Sequence, residues 1–569
     1  MANFYNDNED ILFHMNHIDL DRIIELKEDG FKEKDAYPYA PKNKEDAIEN
    51  YKKVLEVVGD ITGNFIAPRA ADVDREGATF KDGEVYFAKG TAEALQRLKE
   101  ADLTGFTIPR EYGGINFPKT IYSAAIEMVS RADASMMNLF GLQEIADTIF
   151  KFGSKEQKER ILPKFCSGEV MGSMALTEPD AGSDLQAVML KATEIENGKW
   201  KLNGVKRFIT NGLAQVSLVM ARSEEGTKDG RGISLFVYER DEHMKIRRIE
   251  HKLGIHGSPT CELQFNDAPA ELLGKRKLGL IKYTMSLMNG ARLGVSAQAI
   301  GIAEAAYREA KKYAKERSQF KKPIMEFTAI SEMLVDMKTS IEAARAMLYE
   351  TSRMVDIKEG IEERIEKYPE LTNDLSNDLK KYTKLAGFYT PLLKSYATEM
   401  TNKVCYDAIQ IHGGVGFTTE FNVERHYRDA RITNIYEGTT QLQVIAAIGG
   451  VTSGLILEAF SDYENDIDFT TVADLFEQVK RFRTNIEVAI GHVKEKNDKL
   501  FTEYHSARLV RMSSDTMNCY LLCKDAIKSE RKKAVAKAYI AKAKGRIENE
   551  LNYILNSANE ILDLHSVII

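Results

Sequence analysis

Apolar residues recur at three- and four-residue spacing along most of this chain. One central stretch breaks that rhythm by alternating polar and apolar positions. The helical period is clear over residues 47–58 and 91–101. Glycine-containing breaks follow at Pro109-Arg110-Glu111-Tyr112-Gly113-Gly114 and at Lys151-Phe152-Gly153-Ser154. Near residue 170 the period changes. Lys199-Trp200-Lys201-Leu202-Asn203-Gly204 and Cys261-Glu262-Leu263-Gln264-Phe265 alternate, and 216–221 and 233–237 are short apolar runs bounded by turn residues. Closely spaced strands without intervening helices predict an antiparallel β domain. From about residue 280 the helical period returns, with strong helices over 297–316, 330–348 and 382–411. Residues 355–380 are highly charged and read as an inserted loop or a solvated helix. Val472, Phe476, Val479, Phe482, Ile486 and Ile490 then mark another amphipathic module.

The expected fold is therefore α+β, mostly α. It comprises an N-terminal helical domain, a central antiparallel β domain, a C-terminal helical bundle and an extra C-terminal helical module. The expected boundaries are an extension over 1–45, a helical domain over 46–165, a β domain over 166–275, a bundle over 276–450 and an appended domain over 451–569. The loosely patterned extension, with prolines at 38 and 41, is expected to wrap another part of the molecule. A chain of 569 residues is too long for one core, which agrees with several domains.

Charge narrows the partners. With 78 basic and 86 acidic residues the net charge is −8, which argues against a general nucleic-acid binder. The basic residues between 531 and 546 are interleaved with alanine and acidic residues, so they read as a solvated helix face. The five cysteines, at 166, 261, 405, 519 and 523, have neither the spacing of a zinc site nor that of a disulfide framework. No metal is expected. The first nine residues lack the basic start and apolar run of a secretory signal, so a reducing cytoplasm is the expected compartment. Between Glu437 and Glu458 no residue is charged. Threonines, glutamines and glycines interrupt that window, so it reads as a buried segment rather than a transmembrane span.

Candidate chemistry begins in the same window. Glu437 is followed by glycine and has apolar neighbours, a setting that raises a carboxyl pKa. Taken alone it reads more readily as an ordinary helix-end glutamate. Common nucleotide and metal signatures are absent. The His412–Gly416 turn lacks the third glycine of a dinucleotide-binding loop, and there is no P-loop, HExxH or CxxC. Two other turns are more informative. Met174 to Asp184 ends a predicted strand in a glycine turn with hydroxyls at Thr177 and Ser183. Asn203 to Gly212 offers an aromatic face at Phe208 and a hydroxyl at Thr210, two residues apart and so expected on one side of a strand. A ring with several hydroxyl and amide donors suits a flat heteroaromatic cofactor. Each piece is also compatible with a routine hairpin.

Together and in this order, five segments resemble the acyl-CoA dehydrogenase family: 176–184, 207–212, 316–320, 410–417 and 436–441. The resemblance spans roughly residues 50–450, and the chain looks like the longer branch that carries an appended helical domain. The resemblance implies FAD as cofactor, with Leu176, Thr177, Phe208 and Thr210 at the isoalloxazine ring. It implies Arg317 and Phe320 at the pyrophosphate and adenosine end of the neighbouring subunit's FAD. Gln410, Gly413, Gly414, Thr439 and Gln441 match further FAD-contacting positions. Ser183 and Arg292 match positions facing the CoA thioester, and Gly438 allows the backbone to approach it closely. Glu437 matches the base that removes the α-proton, before the β-hydride leaves to flavin N5 and a trans-2-enoyl-CoA forms.

Two positions depart from the family pattern: phenylalanine at 208 where tryptophan is frequent, and Asn289 where many relatives carry an acid. The expected partners are an acyl-CoA substrate, an electron-transferring flavoprotein and further copies of the chain, as dimer or tetramer. An acyl-CoA oxidase that passes electrons to oxygen, and a non-catalytic scaffold on the same fold, are the rival readings. The sequence leaves the acyl chain open.

Overall fold

A computed structural model describes residues 2–196, 198–557 and 560–569. The extension carries α1 (Glu9–His17) and α2 (Asp21–Glu28). The N-terminal helical region has α3 (Lys44–Asp60), α4 (Ala70–Glu76), α5 (Lys89–Glu100), α6 (Lys119–Ala132), α7 (Ala134–Phe140), α8 (Glu144–Phe152) and α9 (Lys155–Cys166). A two-stranded hairpin, β1 (Thr79–Lys81) with β2 (Glu84–Tyr86), interrupts it, which the apolar pattern did not predict. Local chemistry sets several of these starts. Asn8 accepts from the Asp10 and Ile11 amides to begin α1, and Ser154 with Gln157 forms a capping box on α9.

The middle region holds β3 (Gly172–Ala175), β4 (Lys191–Glu196), β5 (Lys199–Thr210), β6 (Val216–Arg222), β7 (Ile233–Glu239), β8 (Met244–Ile249) and β9 (Thr260–Leu272). The sheet is mixed, which corrects the expectation of an antiparallel one. β3 runs parallel to β6 over four residue pairs, and β4 meets β6 in parallel at Lys191↔Arg222, while all other pairings are antiparallel. The reason is topological. β4 and β5 intervene in the chain between β3 and β6, so β3 returns to β6 by a long connection instead of a hairpin. Pairings run from β6 to β7, β9, β5, β4 and back to β6, so the sheet closes on itself around Trp200, Phe236, Tyr238 and Phe265.

The bundle has α10 (Met285–Glu316), a hairpin of β10 (Ser318–Gln319) with β11 (Lys322–Pro323), α11 (Thr328–Lys367), α12 (Thr372–His412), α13 (Val423–Thr433) and α14 (Thr440–Thr452). The charged stretch 355–380 is not an inserted loop. It is the end of α11, a short turn at Pro369–Leu371 and the start of α12. Its charges hold the extension: Asp29 pairs with Lys367 and Arg364 and accepts from the Tyr368 hydroxyl at 2.6 Å. α12 runs through Pro391, which has no N–H for the helical ladder.

The last region comprises α15 (Leu455–Asp466), α16 (Ala473–Lys496), α17 (Lys499–Ala526), α18 (Glu530–Asn556) and α19 (Glu560–Ile568). The charge-free window after Glu437 is only partly a buried segment. α14 buries Gln443, Ala447 and Val451, but Ile445 is 68% exposed. A thirteen-residue helix packed on one side leaves its other apolar positions open, whatever its lack of charge. Among the described residues no single helix is long and apolar enough to cross a membrane; α14 with α15, bent by 65°, passes by length and composition only.

Candidate active site

The base candidate sits in the turn between α13 and α14. Glu437 has φ +54, a left-handed conformation rare for a residue with a side chain, and Gly438 follows at φ +91. The turn is held by three side chains acting on three successive carbonyls. Lys394 of α12 donates to the Tyr436 carbonyl at 2.7 Å and the Gly438 carbonyl at 2.6 Å. Gln443 donates to the Glu437 and Gly438 carbonyls at 3.3 and 2.9 Å, and Arg292 of α10 donates to the Glu437 carbonyl at 3.3 Å. Thr439 caps α14 by accepting from the Leu442 amide. Glycine is favoured at 438 on two counts. Its φ suits glycine, and a Cβ would lie 2.7 Å from the Gln443 amide nitrogen.

Burial raises the Glu437 carboxyl above the ordinary glutamate value, against the opposing positive charges of Lys394 and Arg292. Burial likewise lowers Arg292, and it lowers Lys394 to about 7 despite Glu437. The site thus pairs a reluctant anion with reluctant cations.

The two turns of the middle region come together by hydrogen bonds. The Arg207 amide donates to the Thr177 carbonyl at 2.9 Å, and the buried Lys206 ammonium donates to the Leu176 carbonyl and to Glu178, both at 2.8 Å. Leu176 and Thr177 are therefore fixed beside the strand that bears Phe208 and Thr210. That strand is not regular. A bulge falls between Lys206 and Ile209, and Phe208 takes φ +61. Ile209 is buried between them, so Phe208, 52% exposed, and the half-buried Thr210 are left on the open side. The Arg207 guanidinium lies 4.6 Å from the Phe208 ring centre.

A chain of contacts links this strand to the Glu437 turn. Thr210 pairs with Thr260 across β5 and β9, and the Asn211 amide donates to Pro259 at 2.8 Å. Next along the chain, Ser258 is contacted by Asn138 at 3.2 Å. The Tyr436 hydroxyl donates to Gln298 and lies 3.2 Å from Asn138. Asp429, one helix earlier, accepts from the Ile255 amide at 2.6 Å. Lys394, Gln443, Asn138, Gln298 and Asp429 were not singled out from the sequence. For Lys394 a signal existed: it is the only charged residue between Lys384 and Glu399.

The remaining candidates, Ser183 aside, divide between two places. Arg292, Glu437, Gly438, Thr439 and Gln441 lie at the α13–α14 turn. Arg317 and Phe320 lie beyond the other end of α10, about 37 Å from Arg292 at 1.5 Å per residue. Gln410, Gly413 and Gly414 are at that far end too, because His412 stacks on Tyr313 with ring centres 4.4 Å apart. Arg317, Phe320 and Gln410 are exposed, Phe320 at 88%. A Cβ on Gly413 or Gly414 would meet nothing within 4 Å, so open space faces this turn. Ser183 is exposed on the glycine turn after Thr177. The open Phe208 ring, the tied-down carbonyls beside it and the bare glycine turn are compatible with a long, flat, partly anionic cofactor. One chain alone does not bring both ends of such a site together.

Comparison with known proteins matches these regions. Four family patterns cover the chain in order: "Acyl-CoA dehydrogenase, N-terminal domain" over residues 49–169, "Acyl-CoA dehydrogenase, middle domain" over 173–268, "Acyl-CoA dehydrogenase, C-terminal domain" over 281–448 and "Acyl-CoA dehydrogenase C terminal" over 452–562. A short-chain-specific acyl-CoA dehydrogenase of Megasphaera elsdenii is 34% identical over 413 residues, 71% of this chain and 97% of that protein. A chain from a structure described as "Electron transferring flavoprotein of Acidaminococcus fermentans: Towards a mechanism of flavin-based electron bifurcation" is 33% identical, covering 70% of this chain and 96% of that one, with a TM-score of 0.60. An acyl-CoA dehydrogenase from Bacillus anthracis, solved in complex with FAD, extends the likeness in fold to 92% of this chain and 91% of its own, at 24% identity and a TM-score of 0.75.

Proposed function

The chain belongs to the acyl-CoA dehydrogenase family of flavin-dependent oxidoreductases, and from that premise we propose that Glu437 is the base that removes the α-proton of a bound acyl-CoA thioester. The observation that carries this reading is the Glu437 turn itself. A carboxylate raised by burial stands in a left-handed backbone whose three carbonyls are all tied down. An ordinary glutamate is too weak a base for a thioester α-proton, and a raised pKa narrows that gap. The Glu437 amide donates to no backbone carbonyl among the described residues, which leaves it available to the thioester oxygen as enolate charge develops. Arg292, held to Asn289 at 3.0 Å, opposes the charge of Glu437 and sets one wall of the site. Gly438 lets the backbone approach the thioester, and Ser183 faces the CoA side.

Leu176, Thr177, Phe208 and Thr210 would hold the FAD ring, and Thr439 and Gln441 would contact FAD from the α13–α14 turn. Arg317, Phe320, Gln410, Gly413 and Gly414 would hold the adenosine and pyrophosphate end belonging to a second copy of the chain. FAD, when bound, supplies the acceptor for the β-hydride, so that a trans-2-enoyl-CoA results. The separation of the two groups along α10 supports a homo-oligomer, because one protomer cannot bring both to one cofactor. Electron-transferring flavoprotein is the proposed acceptor, supported by the likeness to the chain from Acidaminococcus fermentans.

Glu437→Gln tests the base. The variant is expected to retain flavin and to lose at least about a thousandfold in the rate of flavin bleaching by acyl-CoA. Bleaching at the wild-type rate would remove the assignment. A series of acyl-CoAs in the same assay reads chain length, and oxygen uptake by the substrate-reduced enzyme separates a flavoprotein acceptor from oxygen.

A further inference from the structure

Lys394 is fully buried in the middle of α12, three residues after Pro391, in a run otherwise free of charge. An ammonium carries three donors and no acceptor. Two of its donors go to the carbonyls on either side of Glu437, at 2.7 and 2.6 Å. No carboxylate forms an ion pair with it among the described residues, so its nearest compensation is the negative charge of Glu437 itself. Burying an ammonium without a paired carboxylate costs several kcal/mol, which a merely structural position would avoid with an uncharged side chain.

We propose that Lys394 is the positioning residue of the base: its two hydrogen bonds hold residue 437 in the left-handed conformation, and its side chain, when protonated, is a positive charge near the Glu437 carboxylate. The inference rests on Glu437 being the base. It says how a base in an apolar setting stays ionised between turnovers. Burial disfavours the ionised form of Glu437, and a nearby cation limits that rise. The same cation must not be too close, since a direct ion pair would hold Glu437 too low to accept the proton. Bonding to the neighbouring carbonyls leaves the ammonium near Glu437 without an ion pair to its carboxylate among the described residues. The other charged or titratable groups facing this pair are Arg292 from α10, Glu399 one turn along α12 and the Tyr436 phenol, which burial and Glu437 raise.

Three variants separate the two roles. Lys394→Gln keeps two N–H donors, on a side chain one atom shorter, but removes the charge. Lys394→Met removes both, and Lys394→Arg keeps both. The readouts are the pH profile of the rate of flavin bleaching by butyryl-CoA, flavin content and thermal stability. In the Gln variant the acid limb is expected about one pH unit higher than in the wild type, with flavin retained. In the Met variant the limb moves likewise and the rate above it falls about tenfold further. In the Arg variant the limb stays within about 0.3 unit of wild type. The Gln variant decides the matter where Met does not fold, because it keeps a polar side chain with two N–H donors. An acid limb in the Gln variant that coincides with wild type, or one that moves as far in Arg as in Gln, overturns the proposal even if stability falls. If instead Glu437→Gln proves active, the acid limb belongs to another group and it is the assignment of the base that fails.

Discussion

Glu437 stands in a backbone conformation that costs a residue with a side chain about 1–2 kcal/mol. Lys394, Gln443 and Arg292 hold it there, and the carboxylate gains a position no regular helix end would give it. Phe208 is a parallel case in the middle region, since its φ of +61 and the bulge beside it turn the ring outward from a strand whose next residue is buried. Phe208→Ala is expected to lower flavin retention, or to shift the flavin absorption bands, with little loss of thermal stability, because the ring is half exposed. Thr210→Ala is expected to act in the same direction. Unchanged flavin content and spectrum in both variants would count against the ring contacts.

Asp429 supplies a pH prediction. Burial lifts its carboxyl to about 6 against the pull of Arg425, above its unfolded value near 3.8. Folding therefore favours the protonated form. That contribution is full below pH 4 and is lost as pH rises through about 6. In Asp429→Asn the amide oxygen can still accept from Ile255, so the variant should match wild-type stability near pH 4. It should exceed wild type by about 2 kcal/mol above pH 7, when melting is compared at the two pH values.

Among the elements, α10 does the most positioning. It carries Arg292 at the Glu437 turn and ends beside Arg317, and it packs on α6 through Gly301. A Cβ at Gly301 would fall 2.3 Å from the Glu127 carbonyl and 2.9 Å from the Arg131 amide, both backbone atoms that cannot move aside alone. Helix propensity by itself favours alanine over glycine by about 1 kcal/mol. Overpacking of two helix backbones costs about 1–3 kcal/mol or more and wins. Gly301→Ala is thus expected to destabilise the protein, and a raised melting temperature would show that the two helices separate more easily than this packing implies.

At the scale of the whole molecule, one buried ionic cluster joins regions far apart in sequence. Arg345 of α11 binds Asp10 of the extension at 2.5 Å, Glu127 of α6 at 2.6 Å and Glu304 of α10 at 2.9 Å. Asp10 also pairs with Lys532 of α18, which reaches Glu342 of α11 at 3.1 Å. Removing one member leaves its partners buried and uncompensated, a loss of about 3–5 kcal/mol. Asp10→Ala is expected to lower stability by that order and to make limited proteolysis cut between α14 and α16 before the rest of the chain. A wild-type digestion pattern would show that the appended helices are held by their apolar contacts alone.

The sequence determined the alternation of helical, strand and helical regions, because the periods 3.6 and 2 are local properties of side-chain direction. It also marked Glu437, Phe208 and Thr210, because glycine turns and short ordered motifs survive in one dimension. It could not give the parallel pairing of β3 with β6, which depends on where intervening strands go. It could not show that the charged stretch 355–380 is two helix ends clasping the extension, since charge alone does not distinguish a loop from a solvated helix. Nor did it show Lys394, Gln443 and Asn138 meeting around residues 436–438. They come from α12, α14 and α7, and only tertiary packing brings these side chains to the carbonyls and the hydroxyl of that turn.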